Sequence, residues 1–235
     1  MTVSWISQLV EWSPAMLAGA SITLGLAIAT LPPGLALGLA LAMSKASDTR
    51  LVRAFGEGVT TVFRGVPELL TLFLVYFGGQ YLLSDLYSAL EGGQPPEISR
   101  FAAGVVALSL VFAAYSSEVL FSAMLGIHGG QGEAAEALGL GRFQTFRFVV
   151  FPQLIRLALP GLANNWLSLV KDTSLVSVIA LPDLMRQTTS AVGVTKAPFV
   201  MFGAACAVYL VISAASSLLI GAYSSSLNRG FAHGS

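Results

Sequence analysis

Five apolar stretches, each long enough to cross a bilayer, occupy most of this chain and leave few folds open to it. A crossing needs ~20 predominantly apolar residues in a helix. The runs from about Met16 to Met43, Val59 to Leu83, Phe101 to Leu125, Ile155 to Leu181 and Pro198 to Tyr223 all meet that length. Inside hydrocarbon the backbone has no water to bond, so each run must satisfy its own N–H and C=O groups as a helix. The expected fold is all-α and integral to a membrane, with five transmembrane helices. No internal repeat or low-complexity linker divides the chain, so residues 1–235 read as a single domain.

Composition narrows the function. Charged residues are 10% of the total and the mean hydropathy is +0.77, against about a quarter charged in soluble domains. Lys+Arg and Asp+Glu are both 12, with no basic cluster or aromatic-basic interleave, which argues against nucleic acid. The lone Cys206 lies in an apolar run and supports neither a disulfide framework nor a CxxC metal pair. The N-terminal MTVSWISQLVEW lacks the basic n-region and cleavage site of a signal peptide, so the first span is expected to be retained. Within that span Pro32-Pro33-Gly34 is expected to kink or break the helix. Gly34 and Gly38 form a GxxxG pair that lets backbones approach.

Basic residues set the expected orientation. Lys45, Arg50, Arg53 and Arg64 lie around the first connection, Arg142, Arg147 and Arg156 around the third, and Arg229 follows the last span. The opposite ends carry Glu11, then Asp85, Glu91, Glu97 and Arg100, then Asp183, Arg186 and Lys196. That is eight basic residues on one side against three on the other, which predicts the N-terminus outside and the C-terminus inside.

The longest polar interval, within a loop at about 126–154, carries the most specific signal. Glu133-Ala134-Ala135 is followed by Gly139, then nine residues, then Val149-Val150-Phe151-Pro152. Read physically, Glu133 to Leu138 is a short helix that Gly139 ends at positive φ. Arg142 to Phe151 is a second helix with Phe143, Phe146 and Val150 on one face, suited to a groove on a soluble partner. The spacing resembles the EAA loop, E-A-A-x(3)-G-x(9)-I-x-L-P, of permease subunits in bacterial ABC importers.

Further segments resemble the polar amino acid branch of that family. They are Phe63-Arg64-Gly65-Val66-Pro67-Glu68-Leu69-Leu70, Leu74-Val75-Tyr76-Phe77-Gly78, and Lys171-Asp172-Thr173-Ser174-Leu175-Val176 preceded by Asn164-Asn165-Trp166. The last is similar to the histidine, basic amino acid and opine members. The resemblance implies a type I importer fold in the bacterial inner membrane. It also implies a second permease subunit, identical or homologous, two cytoplasmic ATPase subunits and a periplasmic substrate-binding protein. Coupling to the ATPase would fall to Glu133, Ala134, Ala135, Gly139, Arg142, Phe143, Phe146 and Pro152. One position departs: relatives carry Y-x-x-E-x-x-R, whereas Tyr115, Glu118 and then Phe121 stand here, leaving Glu118 without its nearest helical partner.

Ionisable groups inside a membrane are expensive and mark function by default. Glu68 either faces a translocation path or is a first-turn carboxylate held by the helix dipole and Arg64. Glu118 reads as a partner-paired acid more readily than as a substrate contact. Lys171 and Asp172 lie deeper and point ~100° apart, so each needs its own partner. Lys171 reads first as structural glue. Lys171 and Glu118 are separated by roughly 9 Å in depth, beyond a comfortable pairing. Pro160-Gly161 and Asn164-Asn165 either unwind the fourth span around a cavity or let helices pack. The candidate path is therefore Glu68, Glu118, Asn164, Lys171 and Asp172.

His128 and His233 lack neighbours for metal ligation or nucleophilic catalysis, and no Walker motif is present. The chain is expected to be no enzyme and to bind no cofactor, with ATP and Mg on the partner ATPase. The expected activity is import of polar, above all cationic, amino acids or opines. The alternative is an ion-coupled transporter with Glu68, Glu118 and Asp172 as relay acids.

Overall fold

The computed structural model describes residues 5–90, 95–127 and 130–229. His128, His233 and Glu91 lie outside the described residues. Helix α1 (Trp5–Lys45) leads into an amphipathic helix α2 (Arg50–Gly65). Helix α3 (Glu68–Ala89) contains a π-helical turn at Leu74–Gly78. Helix α4 (Arg100–Leu125) is followed by the short α5 (Gly130–Ala137). Helix α6 (Arg142–Ile179) has a π-helical turn at Phe146–Val150 and ends in a 3₁₀ segment, Thr173–Ile179. Helices α7 (Leu184–Thr195) and α8 (Pro198–Arg229) complete the chain. Five of these, α1, α3, α4, α6 and α8, are long and apolar enough to cross a membrane, as the sequence predicts.

Helix α4 is the central post. Of its most apolar window 61% is buried, against 33% for α1 and 11% for both α3 and α6, so the outward faces of its neighbours are left for lipid or other protein. Its closest partner is α1. A Cβ on Gly34 would lie 2.7 Å from Phe112 Cδ1, and one on Gly38 would lie 3.2 Å from Ala113 O, so only glycine permits this approach. Leu26, Leu72, Leu108, Phe112, Leu169 and Val176 form the main core, joining α1, α3, α4 and α6. A second cluster, Ala42, Leu120, Ala123, Leu154 and Ala158, ties the Lys45 end of α1 to α4 and α6.

Three boundaries differ from the sequence reading. Helix α1 stays helical through Pro32 and Pro33, so of the expected kink or break the break is absent. Prolines are tolerated in such helices where hydroxyls re-satisfy acceptors. Ser13 Oγ donates to Val10 O at 2.9 Å, the carbonyl that Pro14 leaves free, and near the proline pair the Ser109 hydroxyl reaches Thr30 O at 3.4 Å. The second span begins at Glu68, not near Val59. Pro67 forces Val66 into extended backbone (φ −89°, ψ 134°), which ends α2 and restarts the helix. The connection that carries Asp183, Arg186 and Lys196 holds a helix of its own, α7, with Asp183 and Lys196 as its caps. Asp183 is fully buried and caps that helix by accepting from Arg186 N at 2.9 Å, while Leu184 N donates to Thr23 Oγ1 of α1 at 3.2 Å.

Candidate functional site

The break at Val66–Pro67 determines where Glu68 goes. Because α3 starts there, Glu68 sits in its first turn and lines a cavity of about 290 Å³ between α3, α4 and α6. From α6 the lining takes Asn164, Ser168 and Asp172, spaced four apart and therefore on one face. From α4 it takes Leu108, Val111, Phe112 and Tyr115, the same periodicity on an apolar face ending in a phenol. Asn165 also lines it, and its amide Nδ2 donates to Ser116 Oγ at 3.4 Å. No lining residue is cationic. Two carboxylates, two amides, the Ser168 hydroxyl, the Tyr115 phenol and the Phe112 ring make a lining suited to a positively charged polar ligand.

Of the five path candidates, the structure brings Glu68, Asn164 and Asp172 together and sets the other two apart. Lys171 is exposed and faces away from the cavity, as its ~100° offset from Asp172 requires. Glu118 lies one helical turn beyond Tyr115 and is paired: Oε1 forms an ion pair with Lys45 Nζ at 2.8 Å and accepts from Arg64 Nη1 at 2.9 Å. The Lys45 side chain is 4% exposed, those of Glu118 and Arg64 34% and 44%. Lys45 stands 5.3 Å from the centroid of Phe121, and the Arg64 guanidinium carbon 5.8 Å from that of Tyr115. Arg64 is thus given to Glu118, not to Glu68. The three acids of the ion-coupled alternative do not share one cavity. The fourth span does not unwind at Pro160-Gly161, where a Cβ on Gly161 would meet Val119 Cγ1 at 2.6 Å, so these residues serve packing. Sequence reasoning passed over Tyr115 and Ser168, although Ser168 lies midway between Asn164 and Asp172 at helical spacing.

At the Leu125 end, α5 and the start of α6 form an exposed hairpin. Gly139 has φ +88° and closes α5, its N–H donating to Glu136 O at 2.9 Å and that of Leu140 to Ala135 O at 3.1 Å. Gly141 N donates to Gln144 Oε1 at 3.0 Å and starts α6. Ala135 is buried in the hairpin, whereas Glu133, Ala134, Arg142 and Pro152 are exposed. Phe143 is 79% exposed and Leu138 84%. Phe146 instead packs on Phe151, ring centroids 5.9 Å apart, so the outward face is Leu138 and Phe143 rather than Phe143, Phe146 and Val150.

A helical membrane protein with a polar cavity between its spans and an apolar-tipped hairpin at one edge is a permease by class. The family follows from comparison: the chain belongs to the binding-protein-dependent transport system inner membrane components, whose model matches residues 34–229. It is therefore a multi-pass inner-membrane transport component. It is 41% identical over 213 residues to the arginine ABC transporter permease protein ArtQ of Escherichia coli K12, covering 86% of this chain and 90% of that one. It is 40% identical to the nopaline transport system permease protein NocQ of Agrobacterium fabrum C58, covering 88% of each. The crystal structure of an amino acid ABC transporter with histidines superposes with a TM-score of 0.78 at 30% identity, covering 96% of this chain and all of that one.

Proposed function

We propose that this chain is one of two transmembrane subunits of an ATP-driven importer whose cargo is a cationic amino acid or an arginine-derived opine. The observation that carries the reading is the cavity in which Glu68 and Asp172 face Asn164, Ser168 and Tyr115 with no lining cation. A guanidinium or ammonium offers charge-assisted hydrogen bonds to the carboxylates and a cation for the ring face. The arginine and nopaline cargoes named for two relatives support the same chemistry.

The chain itself is no enzyme and holds no cofactor. ATP and Mg belong to a separate ATPase pair, and a periplasmic binding protein delivers the cargo. Leu138 and Phe143, exposed at the hairpin tip, fit a groove on the ATPase, with Glu133, Ala134, Gly139 and Arg142 shaping and flanking the contact. ATP-driven closure of the ATPase pair moves the hairpin, and the cavity opens alternately to the two sides. The N-terminus lies outside and the C-terminus inside.

Proteoliposomes holding the full complex, ATP and binding protein are expected to accumulate L-arginine without an ion gradient. Uptake that needs an ion gradient and ignores ATP would overturn the proposal. A cysteine at Gln131→Cys is expected to resist an impermeant thiol reagent in intact cells; labelling there reverses the orientation. Gly139→Val strains the positive-φ turn by on the order of 1 kcal/mol. It is expected to abolish stimulation of ATP hydrolysis by loaded binding protein while the chain still inserts.

A further inference from the structure

Arg64 is a permanent cation placed at the rim of an acidic cavity it does not enter. It precedes Glu68 by four residues, through Gly65, extended Val66 and Pro67, so the two Cα atoms are at most roughly 14 Å apart. Its guanidinium carbon lies 5.8 Å from the ring centroid of Tyr115, and Tyr115 lines the cavity together with Glu68. The side chain is 44% exposed, so it is held by its pairing with Glu118 and the Tyr115 ring rather than by burial. Two carboxylates with no cation in the lining attract such a group, and a guanidinium is the chemistry the cavity is suited to hold. Left alone, Arg64 is an intramolecular competitor for cationic cargo.

Glu118 prevents this. Its Oε1 accepts from Arg64 Nη1 at 2.9 Å, and neither residue is among those lining the cavity. Lys45, almost fully buried at 2.8 Å from the same oxygen and set over Phe121, fixes the carboxylate in place. With an apolar Phe121 one turn further along α4, Glu118 has no cation at that neighbouring helical position and is left to Lys45 and Arg64.

We infer that Glu118, which touches no cargo, is a positioning residue for cation selectivity: with Lys45 it holds the Arg64 guanidinium out of the Glu68–Asp172 cavity. The inference rests on the cavity's being the cargo site.

The test is equilibrium binding of radiolabelled L-arginine to the whole purified complex in nanodiscs, binding protein withheld, with L-glutamine as the neutral probe. Glu118→Gln is expected to weaken L-arginine binding about tenfold and to change L-glutamine binding less than twofold, the mark of a charge competitor. Adding Arg64→Ala to that variant is expected to restore L-arginine binding to within about twofold of the parent. Because Glu118→Gln leaves Lys45 buried beside a neutral amide, the series is repeated in a Lys45→Met background, which removes that strain while Glu118→Gln still frees Arg64. A complex that assembles normally yet is not rescued by Arg64→Ala overturns the positioning role. Unchanged L-arginine binding in Glu68→Gln overturns the cavity reading as well, so the two failures are told apart.

Discussion

Around Glu118, two cations converge on one carboxylate, whereas the cavity beside Tyr115, a single helical turn away on α4, gathers Glu68 and Asp172 with no cation in its lining. Both sites set charge inside a membrane protein, where an unpaired charge is costly. The first pairs its carboxylate within the fold. The second leaves its charge uncompensated by its own lining, which is the signature of a place reserved for a ligand or water. Acid residues inside a span are thus sorted by what faces them from other helices, not by depth.

Three substitutions break this contrast if it is wrong. The largest effect is expected from Glu118→Ala, which strands Lys45 as a buried ammonium. Breaking a buried pair costs several kcal/mol, and partial exposure of Glu118 reduces that here to about 2–3 kcal/mol. Thermal unfolding of the detergent-solubilised complex reads it, and Lys45→Met combined with Glu118→Gln should recover most of the loss. An unchanged Tm in Glu118→Ala would falsify the structural role of the node. Next, Glu68→Gln is expected to leave Tm within about 0.5 kcal/mol equivalent and to reduce uptake of a cationic amino acid several-fold more than that of a neutral one. Equal losses for both cargoes would return Glu68 to a structural role. Last, Arg64→Ala is expected to lower stability by at most about 1 kcal/mol because the side chain is half in solvent, the loss shrinking further at high salt in the same unfolding measurement.

The two regions also differ in how far they could be read from residues alone. The hairpin was legible because its constraints are local: a helix former run, a glycine at positive φ and a second helix follow one another within a score of residues. Even there the outward face was misassigned, since the packing of Phe146 on Phe151 depends on the π-helical turn, which leaves no mark in a 3.6-residue pattern. The five spans were legible from hydropathy. Helix α2 was merged into the second span because its apolar residues run on into α3, and only Pro67 separates them. That Glu118 is a partner-paired acid was legible, but the pairing itself was not. It joins three helices across 54 and 73 residues of sequence, through Arg64 and Lys45, and no spacing rule reaches that far. The cavity was half legible: Asn164 and Asp172 share a periodicity, but the meeting with Glu68 and Tyr115 is a product of assembly.

Helix α6 begins at the exposed elbow near Phe143 and passes the cavity at Asp172 without a loop between them. It crosses α4 where Gly161 lies against Val119, so close that no Cβ fits. In the mechanism proposed above, that crossing serves as the fulcrum. The arms from Gly161 are about 27 Å to Phe143 and about 17 Å to Asp172 at 1.5 Å per residue. A sideways push of about 3 Å at the elbow therefore swings the cavity wall by about 2 Å in the opposite sense. On that mechanism, torque from outside the membrane and the movement of a carboxylate within it are two ends of one see-saw. Gly161→Ala forces the helices apart at the pivot, and uptake is expected to fall while L-arginine still binds. Uptake at the parental rate would show that α6 turns about some other point.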